Sequence, residues 1–408
     1  MAKQTNKVKD RRMKIIWSSN SHWSNSGYGI FTRDIIFRLR DDGWPVAEVA
    51  FFGLDGNPIN VDGIKVYPRM GDAYGSDALY HSAVDFGANV AFSMQDIGFI
   101  QPPFLDALFK KNIKWIPYMP IDQEPVPSTI LEKLNYAYKI ITFSNFGQTA
   151  LEKNGYASTM IHEGVDTNIF KPMDKIACRK ELGVPEGEFL FTMVAANKEN
   201  PPRKGFQEVL EAFKLFLANH PNASILFHTQ QVAPGNFPIS DYAKYLGIAN
   251  KILFIDQYRA THFSGSEQVA KEMNACDVYL QPSMTEGFGL TAVEAQSCGK
   301  PVIVNNCHSM PELVIPDKTG EICDTNYAWW RHQNGYVYTA SVTSLHEKME
   351  KLFNKLSKPN TIAKDCRNHI LTDLNIDSIF KNQWVPYLEE LQKELLGEPQ
   401  EEKHSSTR

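Results

Sequence analysis

The sequence predicts two doubly wound α/β domains, each built on a parallel sheet. Three observations carry this expectation. A length of 408 residues exceeds what one ordinary core holds. Apolar, β-rich runs alternate with helically spaced segments, the pattern of strands joined by crossover helices. That order then restarts in the second half of the chain. The composition supplies the apolar material, with 43% hydrophobic and 22% charged residues, unlike a disordered or collagen-like chain.

In the first half the expected strands are residues 14–18, 46–52, 89–93, 113–118, 139–143 and 159–162. The second half restarts at 188–195 and continues with 224–228, 252–255, 278–281 and 301–304. Most are near-continuous apolar runs, such as Phe-Leu-Phe-Thr-Met-Val, as expected where helices cover both faces of a parallel sheet. The stretch 164–185 lacks a strand signal, which puts a domain junction there. The expected division is 13–170 for the first domain and 171–377 for the second. Residues 378–396 form a last helix returning to the first domain, and 1–12 and 397–408 are flexible tails. Ligands of open α/β sheets bind beyond the carboxyl ends of the strands, so two such edges facing each other would make one crevice.

The helix over 378–396 is predicted by a one-sided stripe of Ile379, Phe380, Trp384, Tyr387, Leu388 and Leu391. Another is expected over 104–114, where Phe104, Leu105, Leu108 and Phe109 oppose Lys110, Lys111 and Lys114. It reads as a packed helix with a basic end, or as a weak membrane or nucleic-acid patch.

Bulk properties exclude several classes. No run is long and apolar enough to span a membrane, and the polar, basic start does not read as a secretory signal. A cytoplasmic protein is expected. Six cysteines lie scattered without Cys-x-x-Cys pairs or His partners at metal-ligand spacing, so they read as buried thiols in a reducing compartment. A net charge of -5 gives no global attraction to nucleic acid or anionic lipid. The cluster Lys3, Lys7, Lys9, Arg11 and Arg12 is a local basic patch or a solvated tail.

The strongest chemical signal is the segment 283–303, which runs from a strand end through a glycine loop into a helix and on to the next strand. Gly287 and Gly289 let backbone come close to a ligand, and amides opening a helix near Thr291 make an anion site. Glu286 falls in the loop and Glu294 in the first turn. Two carboxylates beside an amide-lined pocket suit a ligand that is part polyol and part phosphate. Thr291-Ala-Val-Glu294 also fits a capping box, and Glu286 alone fits an exposed loop carboxylate.

The stretch Glu286-Gly-Phe-Gly-Leu-Thr-Ala-Val-Glu294 resembles the Glu-x7-Glu signature of the retaining glycosyltransferases of family 4, which have the GT-B fold. Ordered matches accompany it at Ser26-Gly-Tyr-Gly29, at 141–147, at Glu163-Gly-Val-Asp-Thr-Asn-Ile-Phe-Lys-Pro172, at Arg203-Lys-Gly-Phe206 and at Gly299-Lys-Pro-Val-Ile303. The resemblance implies two Rossmann-like domains facing across a cleft. It implies that Glu294 holds the donor ribose and Glu286 the transferred sugar, while amides of Phe288, Gly289 and Leu290 serve sugar or diphosphate. It puts Arg203 and Lys204 on the diphosphate, where fixed cations stabilise the charge of the leaving group. The alternative is a solvated helix start. Gly27 and Gly29 would lie against the donor phosphate, or make a tight turn.

This chain departs from the family pattern by setting Arg203 directly beside Lys204, with Asn197 and Lys198 upstream. Either Lys198 or Arg203 would then reach phosphate. No Asp-x-Asp occurs, so a metal-independent transfer without cofactor is expected, with a UDP- or GDP-linked sugar as donor. Retention without a protein nucleophile follows from the resemblance. On the acceptor side the family's histidine is absent, which leaves Gln95, Asp96, Tyr118 and Asp122 as candidates or as structural turn residues. The acceptor could be a glycan, a lipid-linked sugar, a small molecule, a protein or a modified base in phage-type DNA. Other open readings are a GT-B epimerase or phosphorylase, and a non-catalytic binding module.

Overall fold

The computed structural model describes residues 12–232, 235–258, 265–331 and 334–397. The expected tails therefore lie almost wholly outside the described residues. Arg12 is an exception. Its guanidinium donates to Asp42 and lies 4.6 Å over the Trp44 ring.

Two compact units divide the chain. The first comprises residues 1–119, 133–141 and 377–408, and the second comprises 120–132 and 142–376. Contacts therefore group 120–132 and all of 142–170 with the second unit, whereas the boundary expected from the sequence is at 170.

In the first unit the strands are β1 (Ile15–Asn20), β2 (Val46–Phe52), β3 (Ile59–Val61), β4 (Ile64–Pro68), β5 (Val90–Ser93) and β6 (Lys114–Met119). They run in the order β3-β4-β2-β1-β5-β6, parallel except for the antiparallel β3–β4 pair. Asp62 and Gly63 both have positive φ at the β3–β4 turn, the geometry that Asp-Gly favours in a two-residue hairpin. Helix Gly27–Asp41 follows β1 and is capped by Ser26, whose hydroxyl accepts from the Gly29 amide. The expected helix 104–114 is Pro102–Lys110, and Lys114 belongs to β6.

Aromatic rings fill the core of this unit. Trp17 contacts Phe31, Phe92, Tyr118 and Trp384 at centroid distances of 5.7–6.2 Å. Trp384 comes from the C-terminal helical stretch, which is not one regular helix. A π-helical turn Phe380–Trp384 precedes the helix Val385–Leu396. Pro386 accounts for the interruption, because a proline inside a helix loses its amide bond and crowds the carbonyl four residues back.

The second unit starts with β7 (Ile141–Thr142), of which Thr142 belongs to it, and β8 (Thr159–Met160). Its main sheet holds β9 (Phe189–Val194), β10 (Ala223–His228), β11 (Ile252–Phe254), β12 (Val278–Gln281), β13 (Val302–Asn305) and β14 (Gly320–Cys323). The order β11-β10-β9-β12-β13-β14 is parallel throughout. Strands β9 and β12 are apolar along most of their length because helices bury both faces. Helix Phe206–Leu217 turns Phe206, Val209, Leu210, Phe213 and Phe216 into the core, the spacing of one helical face. Removing a ring such as Phe213 would cost about 3–5 kcal/mol. A hairpin of β15 (Thr325–Trp330) and β16 (Tyr336–Ala340) completes the unit.

All six cysteines are free and buried. Among the described residues, no helix is long and apolar enough to cross a membrane.

Candidate active site

The glycine loop 283–289 joins β12 to the helix Leu290–Ser297. That helix is capped by Gly289 at φ 113° with no side-chain cap. The capping box is therefore not formed. Thr291 instead donates its hydroxyl to Gln281 Oε1 at 2.8 Å, and Glu294 is buried in the second turn rather than the first. The glycines have internal reasons as well. A Cβ on Gly287 would stand 2.2 Å from the Pro120 Cβ, and one on Gly289 would stand 2.8 Å from Leu313 Cδ1.

Glu286 is half of a buried ion pair. Its Oε1 lies 2.5 Å from Lys204 Nζ, and its Oε2 lies 3.7 Å from the Arg203 guanidinium. The turn carrying the two cations depends on Gly205, whose φ of 80° begins helix Phe206–Leu217 and whose missing Cβ would meet the Pro282 carbonyl at 2.5 Å. Arg203 also donates to the Thr285 carbonyl at 2.6 Å and pairs with Glu199 at 3.1 Å. Arg331, before the hairpin turn, pairs with Glu199 at 3.2 Å. The solvated-helix-start reading of Arg203 and Lys204 does not hold, since both are largely buried against carboxylates.

Electrostatics follow from this geometry. Burial works against the charge on Glu286, but Lys204 and Arg203 override it and hold the carboxyl down to about 2. Burial pulls Lys204 below the ordinary lysine range, against the attraction of Glu286. Glu163, of the Glu-Gly-Val-Asp segment, goes the other way. Burial and the charge of Glu286 push it up to about 8, so it is a neutral acid at pH 7.

Ser309, in the chain after β13, steadies the loop, its hydroxyl shared between the Glu286 carbonyl at 2.7 Å and the Phe288 carbonyl at 3.1 Å. Phe288 is buried, 5.5 Å from the His162 ring. Asp122 is tied in through its backbone, whose carbonyl accepts from the Thr285 hydroxyl. Its negative charge acts on Arg203. The segment 141–147 runs from β7 into the helix Asn145–Glu152, and Glu312 accepts from the Asn145 and Phe146 amides at 2.9 and 2.6 Å.

Other expected residues are placed differently. Asn197 is buried, and its amide bonds both to the Phe237 carbonyl (2.8 Å) and from the Phe237 amide (3.0 Å), so it clamps a loop instead of facing a donor. Lys198 is exposed, whereas Arg203 is the cation inside the cluster. Tyr118 belongs to the aromatic core, 5.1 Å from Phe31 and 5.2 Å from Trp384, not to an acceptor surface.

Gln95 is buried and donates to the Tyr74 carbonyl, while Asp96 accepts from the Tyr28 hydroxyl at 2.9 Å. Gly29 lies in the first turn of helix Gly27–Asp41, where a Cβ would meet the Ser24 carbonyl at 2.4 Å, so its lack of a side chain lets the 21–24 turn pack against the helix, whereas space around Gly27 is open. Beside that turn, buried Glu48 holds the His22 amide and ring at 2.9 and 2.5 Å.

Sequence reasoning missed Glu199, Arg331, Ser309, Glu312 and the His22–Glu48 pair. Only Glu199 had a readable cue, its i, i+4 spacing from Arg203. Among the described residues, no group of three or more His, Cys, Asp or Glu side chains is arranged to hold a metal.

Residues 174–369 match the family model of group 1 glycosyl transferases. The D-inositol 3-phosphate glycosyltransferase of Segniliparus rotundus is 28% identical over 195 residues, 47% of this chain and 40% of that protein. The same-named protein of Mycobacteroides abscessus is 30% identical over 173 residues, 41% of this chain and 35% of that protein. The chain thus spans well under half the length of these relatives.

Two solved structures share the architecture across 93% of this chain. They are sucrose-phosphate synthase from Thermosynechococcus elongatus (TM-score 0.75, 16% identity, 99% of that chain) and Anabaena HepE in complex with UDP-glucose (TM-score 0.70, 19% identity, 100% of that chain). The fold is GT-B, with two Rossmann-like parallel-sheet domains.

Proposed function

We propose that this chain is a retaining, metal-independent glycosyltransferase that moves a hexose-type sugar from a UDP- or GDP-linked donor to a hydroxyl acceptor. The observation that carries the reading is the buried cluster of Lys204, Arg203 and Glu286 beside the amides that open helix Leu290–Ser297. A leaving diphosphate develops negative charge, and preorganised cations and main-chain amides in a water-poor site stabilise it without reorganisation.

In this reading Lys204 and Arg203 take the diphosphate, Glu286 holds hydroxyls of the transferred sugar, and Glu294 holds the ribose. Both cations are engaged by carboxylates, so donor binding shares Lys204 between Glu286 and phosphate. Asp122 acts on Arg203 from the edge of the same cluster. No protein nucleophile is required if the acceptor hydroxyl approaches on the face from which the nucleotide leaves. The similarity to the curated relatives covers fewer than half of this chain's residues, so their acceptor does not carry over. Free, buried cysteines suit a reducing, cytoplasmic setting.

Calorimetric titration with UDP, GDP and their hexose conjugates in EDTA tests the reading. Binding of at least one conjugate, followed by slow release of free sugar, is expected. No binding to any of them would sink it.

A further inference from the structure

The β15–β16 hairpin presents an aromatic face that the donor chemistry does not use. Trp330 pairs with Tyr336 and Ala328 with Tyr338, and because side chains alternate along strands, these four residues share one side. Trp330 and Tyr336 are 53% and 41% exposed, with ring centroids 4.9 Å apart. The row of rings continues from Tyr338 to His308 at 5.4 Å and from His308 to Phe146 at 5.0 Å. His308 has a positive φ of 50°, a conformation non-glycine residues hold only when their surroundings impose it. Exposed aromatic surface of this kind marks a binding site more often than chance.

The hairpin is anchored to the reactive loop. The Tyr338 amide donates to the Met284 carbonyl at 3.0 Å, and Asn305 bridges the Ser283 and Tyr338 carbonyls at 3.1 and 2.7 Å. Ser309, next to His308, holds the Glu286 carbonyl. The aromatic row therefore leads to the loop that carries Glu286.

Charge identifies the occupant's chemistry. Among the described residues, the nearby cations Arg331 and Lys153 are already engaged, by Glu199 at 3.2 Å and by Glu124 at 2.7 Å. Burial keeps the His308 imidazole below the ordinary histidine range and hence uncharged at pH 7, while Asp122 and Glu124 act on it as negative charges. Single-stranded nucleic acid also stacks on aromatic rings, but its binding sites pair them with a positive groove along the backbone. Among the described residues, this face offers rings without surplus positive charge. The apolar C–H side of a pyranose matches that surface.

We propose that the Trp330–Tyr336–Tyr338 face is an acceptor subsite that stacks a neutral saccharide and directs its hydroxyl toward the Glu286 loop. The proposal deepens the transferase reading and rests on it. The test applies the full chain, with UDP present, to an array of neutral glycans and to single-stranded oligothymidylate, and compares it with a Trp330→Ala/Tyr336→Ala variant. UDP affinity is measured separately by calorimetry.

The expected result is retention of at least one neutral glycan, weakened about tenfold or more in the variant, with UDP affinity unchanged. Retention of no glycan, equal retention by the variant, or Trp330-dependent capture of the oligonucleotide would overturn the proposal. So would a dimer in sedimentation that the double substitution dissolves, since a second copy would then own the face. A chain that binds no nucleotide defeats the transferase reading itself, whereas nucleotide binding without glycan binding defeats only the subsite.

Discussion

Lys204 Nζ lies 2.5 Å from Glu286 Oε1, with both side chains largely withdrawn from water. Removing one partner of a buried pair leaves the other charged and unsatisfied, a more serious loss than removing both. Lys204→Ala is expected to destabilise the fold by about 3 kcal/mol. Lys204→Ala/Glu286→Ala should lose less than the sum of the single changes, with a coupling of about 1 kcal/mol or more. Urea unfolding of the four species measures this. Additive losses would show that the pair is not coupled.

Glu163 makes stability depend on pH. Its folded-state value is raised from 4.5 to about 8, so folding favours the protonated acid. Its contribution is fully present below about 4.5, declines as pH rises because the unfolded chain ionises more readily, and is lost above about 8. Melting temperature should fall between pH 5 and 8, and Glu163→Gln, which stays neutral, should flatten much of that fall. An unchanged slope in the variant would show that Glu163 is ionised in the fold.

Gly289 takes a φ of 113° and leaves no room for a methyl group beside Leu313 and Met310. Gly289→Ala should cost about 1–3 kcal/mol and shift the amides that open the following helix, weakening UDP binding. Calorimetry on the folded fraction reads the second effect. Wild-type affinity in that variant would separate the helix opening from donor binding.

Asn197 provides a contrast, since its amide clamps both polar groups of Phe237. Asn197→Ala should lower stability by about 1–3 kcal/mol while UDP affinity per folded molecule stays near wild type. A large loss of affinity at full stability would return this residue to the donor site.

These contrasts mark what the sequence could and could not tell. Apolar runs such as that of β9 revealed the parallel sheets because burial on both faces demands them. The Asp62-Gly63 turn carries a hairpin signal that the strand expectations did not include, and β3 went unseen because its three residues are mostly exposed and carry no apolar periodicity. The cation turn and Glu286 were visible as motifs. Their pairing was not, because 82 residues separate Lys204 from Glu286 and only the shared sheet edge brings them together. Tyr118 looked like a strand-end ligand from its position alone, and its burial among Trp17, Phe31 and Trp384 depends on a helix some 260 residues later. Local spacing cannot encode such contacts.

The most direct test is the initial rate of nucleoside diphosphate release, UDP or GDP, from the preferred donor, measured in EDTA, with added manganese, and in Lys204→Ala. We expect the chelated enzyme to keep its full rate, manganese to add nothing, and Lys204→Ala to lose about two to three orders of magnitude. A rate that collapses under chelation, returns with manganese and survives in Lys204→Ala would contradict it.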